Sequence, residues 1–202
     1  MDLKKIKDMT PKWKYELEWR MTFYTLARFI LNPIEGMKRL PTQWSWLHLF
    51  LIQVIVSASS GALHGILSGH FLYIFIGILF LPLSGLVCIG ITGLIIHYSL
   101  QFLVKQTVRL RLLFTVLTFA AIPFYLLHTI AAFLSIIDLI GLAMAGLLTV
   151  VGLSQTCRIP RTFAIKLIGL LYFLFFVLWL SSHIQELEHA KSRSFFFSTP
   201  AE

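Results

Sequence analysis

The chain has 202 residues, of which 57% are hydrophobic and 13% are charged, and its formal net charge is +8. Soluble domains carry about 25% charged residues, whereas residues 40–104 contain no Asp, Glu, Lys or Arg. A water-soluble fold would lack the polar residues that must cover its surface. Composition therefore indicates an all-α integral membrane bundle. The basic residues flank the apolar segments, which indicates a membrane protein and not a nucleic-acid-binding protein.

The first segment, residues 1–43, is expected to be a cytoplasmic arm with interfacial helices. Trp19, Phe23, Leu26 and Ile30 recur at helical spacing, which predicts an amphipathic helix over 14–31. The first twenty residues lack the apolar core of a cleavable signal peptide, so the first span is expected to act as an uncleaved insertion signal.

A second short helix is expected over 33–40. Asn32 is a favourable N-cap, Pro33 suits the first helical position, and Glu35 can complete an arrangement like a capping box. Both arm helices are interpreted as a collar on the membrane surface, with docking of a partner as the alternative. The candidates for contact with lipid or a partner are Trp19, Phe23, Arg28, Asn32, Pro33, Glu35, Lys38 and Arg39.

Five membrane spans follow, because each apolar run is long enough to cross about 30 Å of hydrocarbon. The second run is too long to cross upright, so we expect either one long helix kinked at Pro82 or a re-entrant arm followed by a span. Pro123 is expected to kink the third span. The predicted spans are 44–67, 70–104, 112–134, 136–154 and 163–182, with 183–202 as a short tail on the outer side.

The distribution of Lys and Arg predicts the orientation. Nine lie before the first span, three in 105–111, three in 155–166, and two in the tail after the last span. Fifteen against two is the positive-inside pattern of an odd number of spans with a cytoplasmic N-terminus.

Small residues at four-residue spacing indicate close helix packing. The pairs are Ser57 with Gly61, and Gly141 with Ala145. Packing within the chain is the simpler interpretation, and a dimer interface is the alternative.

The sequence contains no catalytic or phosphate-binding motif among those that carry a known chemistry, so we expect no enzyme activity and no cofactor. Asp138 is the only acidic residue between Glu35 and Glu186. It could begin a helix, or it could converge with His64, His70 and His128 as a metal site or proton relay. Isolated interfacial histidines are the simpler interpretation, and no metal is expected. Cys88 and Cys157 give neither a disulfide framework nor zinc spacing.

The order of these features resembles the Yip (Ypt-interacting protein) family of five-span membrane proteins, and the bacterial branch more than the eukaryotic one. The resemblance rests on residues 32–40 before a Trp-opened first span, on 119–123 (Phe-Ala-Ala-Ile-Pro), and on 152–154 before a basic turn. It implies a membrane protein without catalytic residues. In eukaryotic members it implies partners among prenylated small GTPases, but their acidic aromatic N-terminal motif is missing here.

These observations favour a non-enzymatic scaffold or accessory subunit in a bacterial inner membrane. Its expected partners are membrane lipids and either a protein on the cytoplasmic side or a second copy of the chain. The alternative is a small transporter or lipid-moving protein for neutral or lipid substrates, with Pro82 and Pro123 as hinges.

Overall fold

The computed structural model describes residues 11–41, 44–69, 71–134 and 136–197, and the side chains within them except those of 11–19, 179 and 182–197. The described residues form helices and no strand, which confirms the predicted all-α fold. Within these described residues, five helices are long and apolar enough to cross a membrane, so the protein is a multi-pass membrane protein. In chain order the helices are α1 (Pro11–Leu31), α2 (Pro33–Lys38), α3 (Trp46–Leu67), α4 (Phe71–Ser99), α5 (Leu110–Ile130), α6 (Ile136–Gln155) and α7 (Arg161–Phe197).

The second span is one continuous helix. Pro82 lies inside α4 and is buried, and the helix continues into a single π-helical turn at Leu100–Val104. This 34-residue element is the long helix of the two predicted alternatives, and the re-entrant arm is not formed. Proline removes one backbone donor from the helical ladder, but α4 continues through it.

Glycines allow α3 and α4 to pack with their backbones in contact. A Cβ atom added at Gly61 would collide with the backbone of Gly77, and one added at Gly65 would collide with the backbone at Ile74. The small residues predicted to mediate packing therefore do so within this chain. Gly141 is likewise packed against Phe124 of α5. A dimer interface remains a prediction.

The centre of the bundle is α5, which packs against α3, α4 and α6, while α7 packs against α6. Residues 113–120 of α5 are all buried. Buried Thr115 satisfies its hydroxyl by donating a hydrogen bond to the carbonyl of Arg111, 2.9 Å away, as polar groups in a membrane require.

The arm is fixed to the bundle by α2 and by the end of α1. The Phe29 ring meets Phe119 edge to face at 5.2 Å, and Met37 is fully buried. The Thr156 hydroxyl donates a 2.9 Å hydrogen bond to the Met37 carbonyl. A cavity of about 190 Å³ is lined by Pro33 together with Pro123. The corner between α1 and α2 therefore packs against the middle of α5, and the collar on the membrane surface stays a prediction.

The arm helices differ from the prediction in two details. The face of α1 that meets the core contains Leu26 and Phe29, while Phe23 and Ile30 of the predicted stripe are exposed. Asn32 caps α2 as predicted, since its Oδ1 accepts from the Glu35 amide at 3.3 Å. The reciprocal half of the capping box is not formed.

Candidate functional site

A cavity lies in the groove between α4 and α7, and we call it the α4–α7 cavity. Its volume is about 370 Å³, within the range of pockets that bind small molecules. Its floor is formed by α5 and α6, and its lining is mainly apolar. Cys88, in the lining, is exposed, so the cavity reaches the surface of the bundle. Polar lining residues are Ser84, Cys88, Thr92, Tyr125, His128, Asp138 and Tyr172.

A histidine–aspartate pair lies in the wall of this cavity. His128 Nδ1 donates to Asp138 Oδ1 at 2.9 Å, with both side chains about one-quarter exposed. The His64 ring stacks on the His128 ring with centroids 4.6 Å apart. His64 Nδ1 donates to the His128 backbone carbonyl at 2.9 Å.

Sequence reasoning named these three residues as candidates, and the structure brings them together. The fourth candidate, His70, lies outside the described residues. Asp138 also lies in the first turn of α6, so it serves both predicted roles, helix-start residue and cluster member.

The cluster fixes the orientation of the His128 ring, which lies between the carboxylate of Asp138 and the ring of His64. It does not form a ready metal site in the described part of the chain, where no group of three His, Cys, Asp or Glu side chains has suitable geometry. Both Nδ1 atoms are used in hydrogen bonds, and the two rings are stacked in parallel.

A buried polar network surrounds Tyr125, which lies in another part of the cavity wall. Gln53 is 1% exposed, and its Nε2 donates to the Tyr125 hydroxyl at 2.5 Å. The hydroxyl of Ser60 donates to the Tyr125 carbonyl, and that of Ser57 donates to the Gln53 carbonyl at 2.5 Å. These bonds fix Tyr125 with its polar end in the lining.

Sequence reasoning missed this part of the site. Gln53, a long polar side chain in the middle of an apolar span, is the signal that could have led to it. The partner Tyr125 could not be identified, because a tyrosine in an apolar helix has no distinctive spacing.

The arm candidates lie apart from the cavity. Glu35 pairs with Lys38 at 3.3 Å and with Arg39 at 3.2 Å. Hydrogen bonding and charge from Lys38, with a smaller contribution from Arg39, hold the pKa of the Glu35 carboxyl below its usual value. Phe23 is exposed and Arg28 is half-buried. The side chain of Trp19 lies outside the described residues.

The two predicted hinge prolines flank different features. Pro82 is a neighbour of Leu81, which lines the α4–α7 cavity, while Pro123 lines the smaller cavity beside the arm.

Comparison of the chain with protein-family models, with curated proteins and with solved structures gives no match.

Proposed function

We propose that the protein binds a lipid chain or a similar apolar ligand in the α4–α7 cavity and moves or presents it within the membrane, without catalysing a reaction on it. The observation that carries the proposal is a cavity of about 370 Å³ in a groove open to the bundle surface. Its apolar lining suits an acyl chain, and the His128–Asp138 pair supplies a polar anchor for the ligand's head.

A binding experiment with a fluorescent fatty acid, cis-parinaric acid, tests this function. We expect saturable binding by the purified protein in an uncharged detergent. Ala121 lines the cavity, so Ala121→Phe should fill it and weaken binding about tenfold or more. The matched control is Ala143→Phe, because Ala143 is exposed on α6 outside the lining. Equal affinities for the two variants would overturn the proposal.

Movement of lipid is measured separately, in liposomes that contain a fluorescently labelled phospholipid. Dithionite added outside bleaches the outer leaflet, and continued bleaching reports transfer from the inner leaflet. We expect transfer with the native chain and a reduced rate with Ala121→Phe. Binding without transfer would indicate that the ligand is held, as a regulatory or structural lipid is held.

A second candidate function, as a scaffold or accessory subunit, is favoured by the arm. Phe29 and Met37 are buried against the bundle, whereas Phe23, Tyr24 and Leu31 are exposed. An apolar surface on a firmly attached helix suits a partner protein or lipid. The Yip resemblance supports this candidate through the five-span count and the order of its motifs, and the lack of a catalytic motif in the sequence supports a non-enzymatic role.

Affinity purification from membranes separates the two candidates. A scaffold should retain a stoichiometric partner that is lost in Phe23→Asp and kept in Ala121→Phe. Ligand binding in the cavity should instead be lost in Ala121→Phe and kept in Phe23→Asp. Loss of the partner in both variants would indicate misfolding, which the melting temperature of each purified variant reports.

The proposed location is a bacterial inner membrane with the N-terminus in the cytoplasm. The support is the charge asymmetry of the connections: Arg109, Arg111 and Arg158 lie at one end of the bundle, while residues 131–134 at the other end carry no charge.

A further inference from the structure

A second cavity, distinct from the α4–α7 cavity, lies where the connection 105–109 meets the connection 156–160, and we call it the basic cavity. Its volume is about 310 Å³. Two segments of the chain line it, residues 106–112 and residues 156–158. Its polar lining consists of Gln106, Thr107, Arg109, Arg111, Thr156 and Arg158.

Three guanidinium groups line this cavity without a carboxylate. Among the described residues, the ion pairs involve only Glu35 and Asp138, and Glu35 is paired with Lys38 and Arg39. The sequence has no other acidic residue before Glu186 in the membrane domain. Neighbouring cations repel each other, so an anion bound between them would lower the repulsion, and arginine forks suit phosphate oxygens.

A side-chain hydrogen bond holds the two connections together, and the start of α5 adds backbone amides. Gln106 Nε2 donates to the Cys157 carbonyl at 3.4 Å and so joins them. Arg109 is the N-cap residue of α5, and no side chain caps this helix start. Uncapped amide groups at a helix start are suited to an anion.

Arg158 occupies a backbone conformation that glycine prefers. Its φ is +56°, in the left-handed region where a side chain is disfavoured. An arginine at this position has a backbone cost, and its side chain lines the basic cavity. The presence of arginine at position 158 is therefore better explained by its guanidinium in the cavity than by the conformation of the turn.

The residues beside the basic cavity indicate that the phosphate belongs to a lipid. Phe102 and Leu103, on the turn that leads into the cavity, are 73% and 71% exposed, as expected for side chains against acyl chains. The cavity lies where α5 begins and α6 ends, which is the depth of phospholipid headgroups. We propose that the basic cavity binds the phosphate of an anionic phospholipid.

The test measures the affinity of the full-length, delipidated protein for phosphatidylglycerol by native mass spectrometry in an uncharged detergent. Arg158→Gly removes the guanidinium and relaxes the backbone. We therefore expect an affinity at least tenfold weaker, with a melting temperature that is unchanged or higher. Arg111→Gln should also weaken binding. Lys166→Gln removes one charge from α7 outside the lining, and it should leave the affinity within about twofold.

Three results would overturn the proposal. If Lys166→Gln weakens binding as much as Arg158→Gly does, the attraction is general and not that of a site. If Arg158→Gly lowers the melting temperature and keeps the affinity, the residue is structural. If inorganic phosphate binds as tightly as phosphatidylglycerol does, and the same variants weaken it, the anion is a soluble phosphate and not a lipid.

Discussion

At the scale of single residues, burial controls the reactivity of Cys157. It lies in the connection between α6 and α7, is 6% exposed, and burial raises the pKa of its thiol to about 12. Only the thiolate reacts with alkylating reagents. At pH 8 about one Cys157 side chain in ten thousand would be a thiolate. We therefore predict that Cys157 resists labelling by a maleimide in the folded protein.

The labelling rate is measured in a Cys88→Ser variant, in which Cys157 is the remaining cysteine. Because the raised pKa favours the neutral thiol, the rate should rise about tenfold per pH unit between pH 7 and 9. After unfolding in detergent the rate should rise by two orders of magnitude or more. Rapid labelling of the folded protein at pH 7 would contradict this prediction.

Residue-level prediction from the sequence succeeded where one side chain had a local signal. Asn32 was identified as a cap because the residue types around it suit a helix start. His64, His128 and Asp138 were named because ionisable groups are rare in spans. Their stacking and pairing could not be predicted, since they depend on how α3, α5 and α6 are rotated about their axes.

At the scale of the helices, the contact between α3 and α4 depends on the absence of a side chain at Gly61. A Cβ there would collide with backbone atoms of Gly77, which cannot move without separating the helices. We predict that Gly61→Ala lowers the free energy of unfolding by roughly 1–3 kcal/mol, the usual cost of overpacking.

Gly90→Ala is the matched control for this change. An added Cβ at Gly90 in α4 has no atom within 4 Å. This substitution should be neutral, or stabilising by about 0.5–1 kcal/mol through helix propensity. Both changes in the free energy of unfolding are measured by titrating the protein in a mild detergent with sodium dodecyl sulfate. Unfolding is monitored as the loss of helix signal. Equal destabilisation would show that the glycine contact is unimportant.

Helix existence and approximate bounds were predictable, because the length of an apolar run sets the length of a span. The predicted third span, 112–134, extends beyond the observed end of α5 at Ile130. The buried face of α1 was not predictable from spacing. Apolar residues lie on several sides of α1, and the buried side is the one with Phe29, which contacts Phe119 of the folded bundle.

At the scale of the whole molecule, the charge asymmetry makes a prediction about topology. Thr107 is exposed in the basic connection, and Phe133 is exposed at the opposite end. In a background of Cys88→Ser and Cys157→Ala, a membrane-impermeant maleimide should label Phe133→Cys in intact bacterial cells. It should label Thr107→Cys only after the cells are permeabilised.

Labelling of Thr107→Cys but not of Phe133→Cys in intact cells would reverse the orientation. It would also place the basic cavity in the outer leaflet. The same two variants in unfolded protein control for the reactivity of each thiol, so that the comparison reports accessibility alone.

The attachment of the arm sets an order for assembly during synthesis. Met37 and Phe29 leave the ribosome long before their partners: Met37 packs against Gly152, and Phe29 against Phe119. The arm therefore stays undocked until the translocation machinery has inserted the first four spans. Its docking then marks completion of the bundle through α6, and a chain truncated before Gly152 would leave Met37 exposed to quality-control proteases.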